Sequence, residues 1–416
     1  MASQINASNS GFGGIVSTGD SSGVLQLQTV GTTAITVDTS QNTTLAGKLT
    51  TASSGIQFSD ASTQTAAASP YVLKNRIING DMRIDQRNAG ASVTINTAAY
   101  TFTMDRWGAY GQATDGVYTV QRSTTAPTGF VNSLLATVTT ADASIGASQF
   151  YILRHPIEGY NIADLNWGTA NAATVTLSFW VRSSLTGTFS GSLTNGGYTR
   201  SYPFSYTISV ANTWEQKSIT IAGDTTGTWT TDNTAGINVY IDLGSGSSNK
   251  GTAGAWTGSG LVGVTGSVNL IGTNGATFYI TGVQLEIGTS ATPFERRLYG
   301  QELINCQRYC LKYCGNTLFE DVNCNLIGFN GTTAYGTIFT VVPMRSSPSV
   351  TSGTLRLTDQ ANVPTVTSVV ASGASYSGPY NINVGVNVAS GVVQFRPYQL
   401  QANNSTSAFL ILSAEL

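Results

Sequence analysis

The sequence is poor in charge, in histidine and in long apolar runs, and each shortage removes a class of function. Only 10% of its 416 residues are charged, with a formal net charge of -2, so we expect no nucleic-acid partner, because phosphate binding needs a concentrated positive surface. His155 is the only histidine, which leaves a Ser-His-Asp triad a single candidate base. No run of 18 apolar residues occurs, so we expect no membrane insertion.

The cysteines are few and clustered. Cys306, Cys310, Cys314 and Cys324 are the only four, and such a cluster is no disulfide framework for a chain of this length. The pattern fits synthesis in a reducing cytosol. The first three are spaced four residues apart, so on a helix they would form a stripe along one side. The thiols of such a stripe converge poorly on one metal ion. We favour core packing as small hydrophobes, with metal binding and a redox role as alternatives.

Ser, Thr and 46 glycines take the place of charge, a mixture typical of strands and tight turns. Residues 1–70 carry short apolar pairs, such as Leu25 with Leu27 and Ile35 with Val37. No pair could form a core alone, so this segment is either disordered or buries its stripes against copies of itself. We favour the second alternative, an extended N-terminal β shaft segment in a homotrimer.

Residues 71–291 contain all six tryptophans and show clear alternation. Apolar residues at 175–181 and again at 237–243 occupy every second position, as in half-buried antiparallel strands. The alternation changes phase at Thr281-Gly282, which predicts a β-bulge. Many strands separated by Asn-Gly turn signals predict a large antiparallel β-sandwich, and its size indicates a jelly roll.

The strongest helical signal lies at residues 292–314. Thr292 is a candidate N-cap followed by Pro293 and then by Glu295 three residues after the cap, and Gly315 supplies a stop. Apolar residues in this segment are spaced alternately four and three positions apart, as in the seam of a coiled coil. They are Tyr299, Leu303, Cys306, Cys310 and Tyr313. This seam could pack on its own sandwich or form a trimer contact.

The remaining residues, 315–416, return to alternating strands. We interpret them as a smaller C-terminal β-sandwich that forms a tip. The final segment, 408–416, is apolar on both faces, which predicts a strand locked into a sheet or a subunit interface. The predicted fold class is therefore mostly β, with a shaft, a jelly roll, one connecting helix and a second sandwich.

Two catalytic patterns occur without the context that they need. Residues 19–23 match the G-x-S-x-G nucleophile elbow, and residues 258–263 match G-x-G-x-x-G. The first needs a flanking strand and helix, and the second needs a βαβ unit; neither segment has them. We predict no catalytic residues and no enzyme.

The larger sandwich contains carboxylates and amides that are candidate ligands for one metal ion. Jelly rolls often hold a structural calcium through Asp, Asn and backbone oxygens. The residues to test are Asn79, Asp81 and Glu286, which otherwise serve as solvated or capping groups. No other cofactor is expected.

Aromatic side chains beside amides and carboxylates indicate a sugar site, because flat rings stack on sugar faces while polar groups bind hydroxyls. Tyr160, Asn161, Asp164 and Trp167 form a dense loop of this kind, and Trp180 lies on the polar side of its strand. We hypothesise carbohydrate binding at these five residues. The alternatives are a subunit interface and a second layer of core.

Several segments resemble a jelly-roll domain that is common in tail-fibre and virion structural proteins of tailed bacteriophages. They are 75–87 (NRIINGDMRIDQR), 104–107 (MDRW), 282–288 (GVQLEIG), 291–295 (ATPFE) and 306–309 (CQRY). The N-terminal segments 25–28 (LQLQ) and 56–65 (IQFSDASTQT) resemble fibre shaft segments of the same proteins.

The resemblance implies a homotrimeric virion appendage, assembled in the host cytoplasm and exposed on the particle surface. Its N-terminal segment would bind a tail, baseplate or capsid protein, and its sandwiches would bind a host-surface glycan. The family supplies no catalytic motif to transfer. The alternatives are a capsid or baseplate decoration that binds no sugar, and a polysaccharide depolymerase, although such enzymes usually have long parallel β-helices whose repeats are missing here.

Overall fold

A computed structural model describes residues 22–29, 32–46, 56–57, 63–64, 74–111, 115–371 and 377–416, and the structural statements below concern these residues. The chain divides into two compact units, Met1–Pro70 and Tyr71–Leu416. In the first unit an antiparallel sheet has the order β1-β2-β3, and β4 pairs with β5. The bounds are β1 (Leu25–Thr29), β2 (Thr32–Val37), β3 (Thr43–Leu45), β4 (Ile56–Gln57) and β5 (Thr63–Gln64).

The second unit begins with a large β-sandwich of two six-stranded sheets. One sheet has the order β15-β12-β19-β10-β9-β6 and the other β14-β13-β16-β11-β8-β7, while β17 pairs with β18. The bounds are β6 (Val93–Ile95), β7 (Thr101–Met104), β8 (Trp107–Tyr110), β9 (Val117–Ser123), β10 (Ser133–Thr140), β11 (Phe150–Glu158), β12 (Val175–Ser183), β13 (Gly187–Asn195), β14 (Ser201–Ile208), β15 (Glu215–Ile221), β16 (Ala235–Ser245), β17 (Lys250–Gly251), β18 (Gly263–Val264) and β19 (Thr277–Ile287).

The strand order is that of a jelly roll. The eight strands β10 to β16 and β19 can be numbered 1 to 8 in chain order. Their spatial order is then 1-8-3-6 in the first sheet and 2-7-4-5 in the second, as in a jelly roll. Aromatic rings fill the space between the sheets: Phe179 packs edge-on against Tyr206, and Phe189 lies beside Phe278. The predicted antiparallel jelly-roll sandwich is confirmed.

The predicted bulge lies in β19. Ser178 pairs with Gln284 and Trp180 pairs with Thr281, so two residues of β19 stand opposite one residue of β12. One of the two is Gly282, which has a left-handed φ of 61° that glycine adopts without strain. The phase change in the sequence therefore marks a real break in the ladder.

The helix is shorter than predicted, since α1 spans Tyr299–Gln307 rather than 292–314. Thr292 does not cap it, because the residue before the helix is Leu298; the amide and hydroxyl of Thr292 instead donate to the carboxylate of Glu286 on β19. At the other end, Cys310–Tyr313 form strand β20, which pairs antiparallel with the C-terminal strand. No helix in the described ranges is long and apolar enough to cross a membrane.

The last strands form the second, smaller sandwich that the sequence predicts. A sheet of order β20-β28-β23 and a sheet of order β24-β27-β21-β22-β26-β25 enclose one core, which contains Leu326, Ile338, Leu410 and Leu412. The bounds are β20 (Cys310–Tyr313), β21 (Asp321–Asn330), β22 (Thr333–Phe339), β23 (Ser349–Gly353), β24 (Leu355–Thr358), β25 (Val366–Ala371), β26 (Asn381–Val388), β27 (Pro397–Ala402) and β28 (Phe409–Ser413).

Two ion pairs, each with at least one buried side chain, join the two sandwiches. Arg106, in the turn between β7 and β8, pairs with Glu415 near the C-terminus, and both side chains are almost fully buried. The Arg106 guanidinium also lies 3.6 Å from the centroid of the Tyr309 ring. Arg308 donates to both carboxylate oxygens of Glu158 at 2.9 and 2.6 Å. Because a buried charge is costly unless it is paired, these contacts hold the sandwiches in one arrangement.

Replacing Arg106 with Met tests this junction. The substitution keeps an apolar stem of similar length but leaves the Glu415 carboxylate without its closest partner. We expect the free energy of unfolding to fall by about 3–5 kcal/mol, as measured by urea unfolding followed by tryptophan fluorescence.

Arg396→Met is the matched control, because Arg396 is 44% exposed and pairs with Asp359 at 2.7 Å. The Asp359 side chain is only 4% exposed, but water screens the pair from the exposed arginine side, so we expect a loss of about 0–1 kcal/mol. Similar losses in the two variants would show that burial of the Arg106 pair does not matter.

Candidate functional site

The loop predicted to bind sugar keeps only part of its surface exposed. Tyr160, in the short 3-10 helix Gly159–Asn161, is 61% exposed. Asp164, in the next such turn, pairs with Arg76 at 2.5 Å. The same arginine donates to the backbone carbonyl of Asn161 at 2.8 Å. Tyr160, Asn161 and Asp164 therefore lie close together, but the carboxylate already has a cationic partner.

The two predicted tryptophans lie elsewhere. Trp167 is buried and packs edge-on against Trp229 and Trp256, with ring centroids 4.7 and 5.3 Å away. Its indole N–H donates to the carbonyl of Ala173 at 2.8 Å, so it offers no donor to a ligand. Trp180 is half-buried on β12, in the other sheet. Trp167 therefore belongs to the core, and the five predicted residues do not form one surface.

The three residues predicted to hold calcium have separate protein partners. The side-chain amide of Asn79 is hydrogen-bonded to backbone groups of its own loop and of the β7–β8 turn. Asp81 pairs with Arg83 at 2.5 Å, and Glu286 accepts hydrogen bonds from Thr292. Across the described ranges, no three His, Cys, Asp or Glu side chains are arranged to hold a metal ion. The calcium site stays a prediction.

The predicted trimer seam is divided between two elements. Tyr299 is exposed at the start of α1, Leu303 is half-buried, and Cys306 is fully buried. Cys310 and Tyr313 belong to β20 instead of the helix. Because Cys306 and Cys310 are covered by the chain's own core, these five residues do not form one face that a second copy could contact.

The outer face of the sheet that contains β11 carries a cleft. Along the paired strands β11 and β16, Leu153 and Val239 point into the core, whereas Arg154 and Tyr240 point away from it. A cavity of about 280 Å³ lies over these outward side chains, near the lower end of the range of about 300–1,000 Å³ for small-molecule pockets. This β11 cleft is lined mainly by Tyr100, Tyr110, Phe150, Arg154, Tyr198 and Tyr240.

Aromatic rings form the walls and the floor of the β11 cleft. Tyr110 and Phe150 stack with their centroids 4.8 Å apart and their planes 20° apart. Tyr240 is 4% exposed at the bottom, while Tyr198, in the β13–β14 turn, is 48% exposed. Rings held on strands present flat faces at little entropic cost, since their positions are fixed before a ligand arrives.

The segment 246–268 packs against strands β13, β14 and β16 of this sheet and borders the β11 cleft. The Ser192 hydroxyl, on β13, donates to the carbonyl of Leu261 at 2.7 Å and holds the segment down. A Cβ at Gly260 would lie 2.5 Å from the carbonyl oxygen of Tyr198, so only glycine permits this approach. The G-x-G-x-x-G pattern therefore has a packing role and no βαβ unit around it.

His155 is a buried residue of β11. Its Nε2 lies 2.9 Å from the carbonyl oxygen of Ile78, and its ring packs edge-on against Trp107. Burial, followed by the charge of Arg106, holds the pKa of His155 well below its usual value, so the ring is neutral at pH 7. The G-x-S-x-G pattern at 19–23 lies largely outside the described residues.

Sequence reasoning did not find the β11 cleft. One signal was available, because Tyr240 stands among the polar positions of the alternation at 237–243. The other side chains belong to strands that are distant along the chain. Strand pairing places Arg154 between Gly108 on β8 and Tyr240 on β16, and no local sequence pattern reports such a pairing.

No protein-family model matches this chain, and no curated protein matches it. Among solved structures it is similar to the enzymatically active domain of bacteriophage CBA120 tailspike protein 4 (12% identity, 51% of this chain, 21% of that chain, TM-score 0.29). It is also similar to a family 11 carbohydrate-binding module from Clostridium thermocellum in complex with a mixed-linked tetrasaccharide (10%, 46% and 96%, TM-score 0.25). A third is a putative sugar-binding protein from Bacteroides thetaiotaomicron (15%, 52% and 100%, TM-score 0.29).

These similarities are partial. The chain spans about a fifth of the length of the tailspike chain that it matches. TM-scores this low do not establish a shared fold. The jelly roll is shown by the strand order described above, and the candidate site is the β11 cleft.

Thiol reactivity tests whether the cysteines are core residues. All four are buried, and burial raises the pKa of Cys314 to about 11 and that of Cys324 to about 12. Since the thiolate is the reactive form, we expect the folded protein to react slowly with an aromatic disulfide reagent at pH 8. Four thiols should react at once in denaturant; rapid reaction of the folded protein would instead favour a redox role.

Proposed function

We propose that this chain is a fibre-type structural protein of a tailed bacteriophage that attaches to the host surface by binding glycans in the β11 cleft. The observation that carries the binding proposal is the cleft itself, in which aromatic faces and polar groups meet on a rigid sheet. The bacteriophage part is supported by the resemblance of seven sequence segments to fibre and virion structural proteins.

The composition of the β11 cleft suits a sugar better than a purely apolar ligand. A pyranose ring has apolar C–H faces that stack on rings such as Tyr110 and Phe150, and hydroxyls around its edge. The side chains of Arg154 and Asn249 supply polar groups at the same cavity. Because a ligand pocket combines apolar surface with a few well-placed polar groups, this arrangement supports saccharide binding.

The proposal includes a homotrimer, since exposed apolar residues call for copies of the chain. Leu25 and Leu27 are exposed on β1. On the C-terminal sandwich, strand pairing places Ile327, Tyr335 and Val370 in one row on the outer face of the six-stranded sheet. These three side chains are 58%, 46% and 48% exposed. An apolar row of this kind marks an interaction surface, and we assign it to a second copy.

Binding without catalysis is the favoured version of this function. In it, residues 1–70 attach to a tail, baseplate or capsid protein, and the sandwiches face the host. A depolymerase would release new reducing ends from the host polysaccharide, whereas a decoration protein would form the trimer and bind no glycan. A reducing-end assay on host polysaccharide tests for the depolymerase, and a tight trimer without any binding on a glycan array identifies the decoration protein.

Tyr110→Ala tests the β11 cleft. Loss of one stacking face should lower the affinity for a bound polysaccharide by about tenfold, or about 1–1.5 kcal/mol. Microbial glycan arrays identify the ligand, and titration calorimetry measures the dissociation constant.

Tyr160→Ala is the matched control, because Tyr160 is an exposed tyrosine in the loop that the sequence predicted as the sugar site. We expect its affinity to equal that of the unmodified protein. The opposite result, with Tyr160→Ala impaired and Tyr110→Ala unchanged, would move the site to that loop.

Ile327→Glu tests the contact between copies. A charge within the apolar row should weaken assembly, because it would be desolvated in the interface. Light scattering should give three chains for the unmodified protein and a smaller particle for the variant. Val131→Glu, at a 64% exposed position before β10, should leave the mass unchanged. A monomeric unmodified protein, or equal masses for Ile327→Glu and the unmodified protein, would rule out this interface.

A further inference from the structure

A positive charge lies in the β11 cleft without a negative partner. Arg106 and Arg154 are the most deeply buried arginines of the described ranges. Arg106 pairs with Glu415. Arg154 is 7% exposed, and its Nε donates to the amide oxygen of Asn238 at 2.8 Å, but no carboxylate in the described part of the chain lies within ion-pair distance of it. A buried charge without a counter-charge is costly, so its presence calls for an explanation.

The surrounding residues hold the Arg154 guanidinium in place. Its Cζ lies 4.6 Å from the centroid of the Tyr100 ring, within the range of a cation–π contact. The Tyr100 hydroxyl donates to the backbone carbonyl of Arg154 at 3.2 Å. Gly108, the β8 partner of Arg154, permits this position, because a Cβ there would lie 2.6 Å from the Tyr100 ring. Arg154 is therefore oriented before any ligand binds.

The acidic side chain of the adjacent strand β16 is already satisfied. Asp242, which pairs with the β11 residue Ile152, is 1% exposed. Its carboxylate accepts hydrogen bonds from the hydroxyls of Ser190, Ser245 and Ser267. No acidic side chain lines the cavity, so the charge of Arg154 is directed towards whatever occupies it.

We propose that the β11 cleft binds an anionic saccharide, whose carboxylate or phosphate pairs with Arg154. This inference rests on the proposed glycan binding and adds the chemical class of the glycan. Nε is used by Asn238, and the guanidinium also has a side-chain hydrogen bond with Tyr100. The anion therefore pairs through the terminal nitrogens, and a guanidinium fork matches the two oxygens of either group. The stacked rings of the cleft then receive the sugar that carries the charge.

The test compares saccharides that differ only in charge. The probes are uronic-acid oligosaccharides with their carboxyl-reduced counterparts, and phosphate-bearing bacterial oligosaccharides with their dephosphorylated counterparts. We expect the unmodified protein to bind at least one anionic member about tenfold or more tightly than its neutral counterpart. The preferred pair tells whether the anion is a carboxylate or a phosphate.

Arg154→Gln should remove this preference and leave the weaker binding of the neutral counterpart. Arg182→Gln is the matched control, since Arg182 lies 4.9 Å from the Tyr279 ring centroid on the other sheet, outside the cleft. We expect Arg182→Gln to keep the full preference. Thermal unfolding of both variants verifies that they fold, and the comparison of charged and neutral probes needs only the unmodified protein.

The outcomes are distinct. Equal affinity of the unmodified protein for the anionic and neutral members would overturn the role of Arg154 and leave glycan binding intact. An anionic preference that survives in a folded Arg154→Gln variant would also overturn it. If the folded protein bound no saccharide, the proposed function itself would fail.

Discussion

The pairing of buried charge is the constraint on which the second unit depends. Glu158 ends β11, Arg308 follows α1, Arg106 turns between β7 and β8, and Glu415 lies near the C-terminus. Glu158, Arg106 and Glu415 are almost fully buried, so the loss of a partner would leave each of these charges unpaired in the interior. Four distant parts of the chain are therefore held together, and the two sandwiches behave as one body around them.

This junction also supports the candidate site. Strand β11 carries Arg154 in the cleft and Glu158 in the junction, four residues apart and on the same side of the strand. The cleft thus belongs to a strand that is fixed at one end by ion pairs and on both sides by neighbouring strands. A site on such a strand presents its side chains with little reorganisation on binding.

The contrast between Arg106 and Arg154 is informative because charge is scarce in this protein. Only 10% of the residues are charged, and of the two buried arginines in the described ranges Arg106 has a carboxylate partner. Arg154 instead has a tyrosine ring, an amide oxygen and an open cavity. An aromatic cleft with one unpaired cation differs from a general sugar-stacking surface, since the cation would distinguish an anionic ligand from its neutral analogue.

The sequence by itself determined the elements whose signals are local. Alternation at 175–181 and 237–243 predicted strands β12 and β16, which belong to different sheets, and the phase change at Thr281-Gly282 predicted the bulge, because side-chain direction repeats every two residues in a strand. The mostly β class followed from the same signals. The jelly-roll order and the last strand agreed with the pattern of turns and the apolar C-terminal segment.

Only the tertiary structure decided which residues meet. The cap predicted at Thr292 failed because the helix begins only at Tyr299, while Thr292 is hydrogen-bonded to Glu286 on β19. The last predicted helical turn was replaced by β20 because β28 offers it a sheet partner. The predicted sugar residues were neighbours along the chain, whereas Tyr100, Arg154 and Tyr240 are neighbours across strands. Local patterns report the conformation of a segment, while a cleft and a buried ion pair depend on non-local pairing, which is chosen by the free energy of the whole fold.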